Sequence, residues 1–254
     1  MDKIAPNTLF TGQQLIYLSQ CDSTNLVAQE LLIKNKATEG CVVITDMQIQ
    51  GRGQRGTSWE AEPGKNITLS LILKPYYLTA QQQFFLNISI SLAVLGLAQH
   101  YLHNNPALKL KWPNDIYYGN KKIGGILIQN SISGHFLQHS VIGIGLNINQ
   151  ISFAAPGASS FAQITGQSYA LPTVVTALLE ALEVRYLELM QGKTERQENE
   201  YLQNLYWYQE EHFFKVAGER VIGTIAGIDA NGHLLLKINN EVRHYGLKEV
   251  EFVE

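Results

Sequence analysis

The sequence predicts an α+β protein in two parts: helices and strands over residues 1–208, then a small β-barrel over 209–254. Three observations carry this. Apolar runs of strand length, at 15–18, 41–45, 67–73 and 108–112, are interleaved with longer segments of helical spacing. The most apolar stretch, 84–98, reads as a helix buried on most sides. From residue 209 the texture changes to five short β-rich runs separated by Ala217-Gly218, Asp229-Ala230-Asn231-Gly232 and Asn239-Asn240 turns.

Taken in order, a strand at 15–18 leads into Cys21-Asp22-Ser23-Thr24-Asn25 and a helical run over 26–33. The polar cluster is a helix N-cap signal. Its functional alternative is that the hydroxyls and the helix N-terminus also face a ligand. The strand at 41–45 runs into Gln48-Ile49-Gln50-Gly51-Arg52-Gly53-Gln54-Arg55-Gly56-Thr57-Ser58-Trp59. Residues 67–73 form the next strand, and 79–102 the long buried helix, ended by His103-Asn104-Asn105-Pro106. Residues 108–112 alternate as a strand and stop at Pro113-Asn114-Asp115. Strands at 116–118 and 122–129 flank the hairpin turn Gly119-Asn120. Gly124-Gly125 inside the second of these marks a bulge or a place where something approaches the backbone. The partner strand, 136–149, carries Gly143-Ile144-Gly145-Leu146-Asn147. Helices are expected over 172–190 and 194–207, the latter ending in aromatics that pack the seam before the barrel.

Composition excludes several classes. Charged residues make up 16% of the 254 and the net charge is −3, which gives no global pull toward nucleic acid or an anionic membrane. Cys21 and Cys41 have no paired spacing and suit a reducing cytoplasm. No signal-peptide pattern opens the chain, and the apolar run 84–98 is too short to span a bilayer. The seven histidines are scattered, with solvated or structural roles expected for each.

Chemistry concentrates in three stretches. The Gly/Arg loop combines glycines, which allow close backbone approach, with arginines suited to phosphate or carboxylate. It reads as an anion-binding flap; the blander alternatives are a flexible loop or an Arg-Gly nucleic-acid segment. The second stretch is Lys111-Trp112-Pro113-Asn114-Asp115 with Lys122 and Gly124-Gly125. The third is Gly143 to Asn147, which lacks the third glycine and the following helix of a dinucleotide fingerprint, so it reads as a glycine-lined strand against a flat ligand. No P-loop sequence occurs. Several cations beside one carboxylate suit the handling of a nucleotide phosphate.

Ser23-Thr24-Asn25, the Gly51-Arg52-Gly53-x-Arg55-Gly56 loop with Trp59, Lys111 to Asp115, Lys122-Ile123-Gly124-Gly125 and Gly143 to Asn147, in this order, resemble the biotin–protein ligases. The resemblance covers about residues 15–150 by motif. It implies a catalytic domain of class II aminoacyl-tRNA-synthetase-like fold, with a mixed sheet flanked by helices, and an SH3-like C-terminal domain. Repressor members carry an N-terminal helix-turn-helix; about twenty residues precede the first motif here, so the enzyme-only form without DNA binding is expected.

The resemblance further implies that biotin's carboxylate attacks the α-phosphate of ATP, giving biotinyl-5′-AMP and pyrophosphate, and that biotin then passes to a lysine ε-amine of a biotin carboxyl carrier protein. Lys122 is implied as the main catalytic residue, contacting the biotin carboxylate and the α-phosphoryl region. Arg52, Arg55 and Lys111 are implied to neutralise phosphate, and Asp115 to hold Mg²⁺. Ser23, Thr24, Asn25 and Gln48, with Gly51, Arg52, Gly125, Gly143 and Gly145, are implied on the biotin side. Trp59, Asn114 and Asn147 are implied on the adenylate side. A homodimer through an exposed sheet edge is compatible with the resemblance. Rivals are a lipoate–protein ligase or octanoyltransferase of the related fold, and a non-catalytic sensor of biotinyl-AMP. Gln54 departs from the arginine common at its position, which puts retention of the adenylate in doubt.

Overall fold

Residues 4–253, except 52 and 55–57, are described by a computed structural model. Seven strands form one mixed sheet in the order β1-β2-β3-β7-β6-β5-β4. They are β1 Leu15–Cys21, β2 Val42–Gln48, β3 Ile67–Leu73, β4 Leu108–Lys111, β5 Asp115–Tyr118, β6 Lys121–Ser133 and β7 Phe136–Leu146. Only the β1–β2 pair is parallel, joined by helix α1 (Thr24–Ile33), as a parallel crossover requires. The other pairs are antiparallel.

All seven residues of β3 are buried, so this strand is covered on both faces. Period-2 alternation sorts the side chains. Val42, Ile44, Leu69, Leu71, Ile142 and Ile144 enter the large core with helices α2 (Gln83–Tyr101), the short α3 (Phe161–Thr165), α4 (Leu171–Met190) and α5 (Thr194–Gln203). Val43, Ile72 and Val141 face the other way and meet Ala28 of α1.

The apolar segment expected over 79–102 is a 3-10 turn, Ala80–Gln82, followed by α2. Together they run 22 residues, long and apolar enough to cross a membrane, against the shorter run read from the sequence. In the fold this helix lies against α4, α5 and the sheet, with Leu86 to Ala98 largely buried. Helix α5 ends at Gln203, earlier than the expected 207. The residues after that point serve a seam: the Leu205 backbone forms a β-bridge with Leu110, Tyr206 and Trp207 stack at 4.8 Å, and Trp207 lies flat on His212 at 4.0 Å.

A second, antiparallel sheet follows in the order β11-β10-β9-β8-β12. Its strands are β8 Glu211–Val216, β9 Glu219–Ile228, β10 Leu234–Ile238, β11 Glu241–Tyr245 and β12 Val250–Phe252. The turns read from the sequence close its hairpins: Ala217, Gly218, Asn239 and Asn240 all have positive φ. This sheet contributes Phe214, Ile225 and Leu234 to the same core as the first.

Candidate active site

A cavity of about 300 Å³ opens on the α1 face of the large sheet, just beyond the N-terminus of that helix. Its floor follows from alternation in β7. Ile142, Ile144 and Leu146 point into the core, so Gly143 and Gly145 point to the cavity. A Cβ on Gly143 would lie 2.6 Å from Asn25 Oδ1, and one on Gly145 would lie 2.4 Å from Trp59 Cε2. Both positions therefore exclude any side chain with the present neighbours in place. The same alternation in β3 sends Thr68 and Ser70 to this face between buried Ile67, Leu69 and Leu71.

One end of the cavity is a polar network. Ser23 takes the N-cap position of α1, but its side chain makes no capping bond, so the capping role read from the sequence is not what that hydroxyl does. Gln48 serves the helix end instead: its Oε1 accepts from Thr24 N at 2.8 Å and Thr24 Oγ1 at 3.2 Å. Ser70 Oγ sits 2.7 Å from Thr24 Oγ1 and donates to Asn25 Oδ1 at 2.6 Å. Asn25 Nδ2 donates to Gln129 Oε1 at 2.8 Å. Ser23, Thr24 and Asn25 are all buried, and the bonds fix the orientation of Thr24 and Asn25.

The other end is an ion pair. Lys122 Nζ lies 2.6 Å from Asp115 Oδ1. A register shift makes this possible. Ile116 pairs with Gly124 while Tyr117 pairs with Lys122, so Ile123 is an extra residue on β6. The bulge puts Lys122 and Gly125 on one face, where strict alternation would separate them. A Cβ on Gly125 would stand 3.3 Å from both Asp115 Oδ1 and Lys122 Nζ, so glycine leaves the pair its room. Burial raises the Asp115 pKa; Lys122, with a smaller effect from Lys111, offsets only part of that.

Lys122 is held through its backbone as well. Its N–H donates to Gly157 O at 2.8 Å and its carbonyl accepts from Ser159 N at 2.9 Å. Asn147 braces this loop: Nδ2 donates to Ser159 O at 2.9 Å, while its backbone N–H donates to Ile123 O at 2.9 Å. Asn147 is thus buried behind Lys122 and does not line the cavity. Asn114 lines it, with its side-chain amide donating to Ile126 O and its own carbonyl accepting from Ile126 N at 3.0 Å.

Lys111 Nζ stands over the rings of Tyr117 at 4.5 Å, Phe252 at 5.0 Å and Tyr206 at 5.4 Å, and it is not among the cavity's lining residues. Lys111 pairs with Asp115 across the β4–β5 ladder and so shares its face, but its side chain leans away to the rings at the seam with the second sheet. Gly51 is also off the cavity wall; its carbonyl accepts from Trp59 N at 3.0 Å, folding the loop back so that the Trp59 ring lies 5.8 Å from Lys122 Nζ. Among the described residues, Trp59 Nε1 is buried without a hydrogen-bond partner. Arg52 and Arg55 lie outside the described residues. Sequence reasoning missed Thr68 and Ser70, although two polar residues at period 2 in an otherwise apolar strand were a usable signal. It also missed Leu247 and Lys248, which reach the cavity from the second sheet with no local signature.

Among the described lining residues Asp115 is the one carboxylate. Mg²⁺ is usually held by one or two carboxylates together with waters and substrate phosphates. The donor set therefore fits an ion that arrives on a polyphosphate, rather than an all-protein cage.

Comparisons with known proteins give the family and the fold. The profile described as the Biotin/lipoate A/B protein ligase family matches residues 17–147, just over half of the chain. The chain is similar to the bifunctional ligase/repressor BirA of Bacillus spizizenii, with 34% identity over 70% of this chain and 55% of that protein. It is similar to the biotin–[acetyl-CoA-carboxylase] ligase of Mycobacterium tuberculosis, with 27% identity over 89% of this chain and 84% of that one. The chain spans about half the length of the first curated relatives it matches. Its fold is that of the biotin protein ligase from Aquifex aeolicus in complex with biotin and ATP: TM-score 0.78, 22% identity, covering 95% of this chain and all of that one.

Proposed function

Because the chain belongs to the biotin/lipoate A/B protein ligase family, we propose that it is an ATP-dependent biotin–protein ligase, acting on a lysine of a biotin carboxyl carrier protein. The observation that supports this best is the joining, in one cavity, of the Ser23–Thr24–Gln48 polar end to the Lys122–Asp115 ion pair across a floor of Gly143 and Gly145. A bicycle with a polar ureido ring, an apolar thioether ring and a tail ending in a carboxylate needs those three zones in that order. The ureido ring takes the polar end, the thioether ring lies along β7 between Asn25 over Gly143 and Trp59 over Gly145, and the carboxylate reaches Lys122.

In the first step a biotin carboxylate oxygen attacks the α-phosphorus. The bond to the bridging oxygen breaks, and pyrophosphate leaves with the electron pair. Two anions must meet, so fixed positive charge at the reacting atoms is the largest contribution expected of the protein. Asp115 keeps Lys122 aimed at that point. Lys248 adds a cation at the cavity wall, and Arg52, Arg55 and Lys111 keep their assignment to the phosphates. Asp115 is the group that would hold Mg²⁺, which supplies charge neutralisation on the phosphate oxygens when bound. Trp59, on Gly145 beside Lys122, shields the mixed anhydride from water. In the second step the acceptor amine attacks the anhydride carbonyl and AMP leaves.

In this reading residues 1–208 bind the small substrates, and 209–254 close one side of the cavity through Leu247 and Lys248. The two free cysteines fit a reducing, cytoplasmic setting. The family's name covers lipoate as well as biotin, so the deciding experiment is ATP–pyrophosphate exchange by the pure protein with each acid. Exchange that requires biotin is expected; exchange with lipoate and not biotin overturns the proposal.

A further inference from the structure

Three residues of the second sheet converge at a point the ligase reading does not use. Asp229 ends the β9 strand's run into the β9–β10 turn, His233 immediately precedes β10, and His244 sits on β11 opposite Leu235. Asp229 Oδ1 accepts the backbone N–H of Asn231 at 2.9 Å and of His233 at 3.0 Å, which leaves Oδ2 to the rings. Oδ2 lies 3.0 Å from His233 Nδ1 and 2.8 Å from His244 Nδ1. All three donor atoms fall within 4.8 Å of one another. The carboxylate is largely buried while both rings stay open to solvent.

We propose that Asp229, His233 and His244 form a binding site for a divalent transition-metal ion of the zinc class. Two imidazoles and a carboxylate suit Zn²⁺, Ni²⁺ or Cu²⁺ and not the hard ions held by oxygen alone. Bonds of about 2.0–2.1 Å in a tetrahedron separate the ligand atoms by about 3.3 Å. The rings need to open by only about half an ångström from Asp229 Oδ2, and their own nitrogens, within 4.8 Å of each other, need to settle to the same spacing, which exposed histidine side chains allow. The outward side leaves the fourth position to water. The carboxylate is already oriented by its two backbone N–H bonds, as the outer shell of a metal ligand requires.

The location connects this site to the cavity. Within the same turn, the Gly232 carbonyl accepts from Trp112 Nε1 at 2.9 Å, at the start of the stretch that carries Asn114 and Asp115. Beyond His244 the chain reaches Leu247 and Lys248 on the cavity wall. An ion here ties together the two segments by which the second sheet meets the site. The inference goes beyond the ligase reading and does not rest on it.

The test uses full-length, tag-free protein stripped with a chelator. Co²⁺ is titrated and followed by its visible absorption, and Zn²⁺ affinity is measured by competition and calorimetry. One equivalent should bind. His244→Gln and Asp229→Asn should each weaken binding by more than the roughly 10–100-fold typical of losing an outer-shell partner. His212→Gln, outside the cluster, should bind as wild type. Circular dichroism checks folding, and His233→Gln replaces either variant that fails to fold. Absence of saturable binding, or equal affinity in His244→Gln and wild type, overturns the site.

Discussion

Lys122 Nζ and Asp115 Oδ1 lie 2.6 Å apart on neighbouring strands, on the same face only because Ile123 is an extra residue in the β5–β6 ladder. The pair makes two variants separable. Lys122→Ala removes the cation at the reacting atoms, and exchange should fall by at least about 10²-fold, the cost of one such stabilising contact. Asp115→Asn keeps the cation but releases its aim, so kcat should fall by a similar factor while the biotin KM changes little. Both are read by pyrophosphate exchange alongside circular dichroism; undiminished exchange in a folded Lys122→Ala refutes the role given to that lysine.

Gly145 supports Trp59. An alanine Cβ there meets Cε2 at 2.4 Å, closer than atoms can stand, so the ring must leave its seat. Gly145→Ala should raise the biotin KM and shift tryptophan emission, with a much smaller effect on urea stability than on KM. A ring that stays put, with unchanged emission and KM, contradicts this placement of Trp59.

What the sequence made legible, and what it did not, divides by range. Ile142-Gly143-Ile144-Gly145-Leu146 shows its alternation locally, so a glycine-lined strand was readable from the letters, as were the turns at Ala217-Gly218 and Asn239-Asn240. The lean of Lys111 toward the seam was not legible because tertiary contact decides it: the rings of Tyr206 and Phe252 lie far away in sequence. Lys248 was missed for the same reason, and so was the meeting of His233 and His244 at Asp229, which corrects the reading of scattered histidines. Helix α5 was drawn too long because its aromatic end fits a helical pattern as well as it fits the seam.

Glu183 of α4 is buried and accepts from the backbone N–H of Leu9 at 2.6 Å, Thr11 at 2.9 Å and Phe10 at 3.0 Å. Burial alone pushes this carboxyl up, but the three donors outweigh it and hold the pKa below the ordinary 4.5. The folded state therefore prefers the ionised form. Its contribution is complete above pH 4.5 and is lost as pH falls through the lowered folded value. Glu183→Gln should cost about 1–3 kcal/mol at neutral pH. The difference between variant and wild type in urea should shrink as the solution is acidified; a constant difference across that range rules out the carboxylate's role.

Trp112 and Gly232 join the two sheets at a buried point. Trp112 Nε1 donates to the Gly232 carbonyl, and Gly232, at φ +87°, presses on the Phe84 ring so closely that a Cβ would lie 2.3 Å from it. Trp112→Phe keeps most of the apolar volume and deletes the donor. A buried carbonyl is left without its partner, which costs about 1–3 kcal/mol, read as a lower urea midpoint. Through Asp229 the same turn also holds His244, three residues before Leu247 and Lys248 on the cavity wall, the side where the phosphates are proposed to lie. The variant should therefore raise the KM for ATP more than the KM for biotin. Equal changes in both constants would mean that the second sheet contributes stability there and no substrate contact.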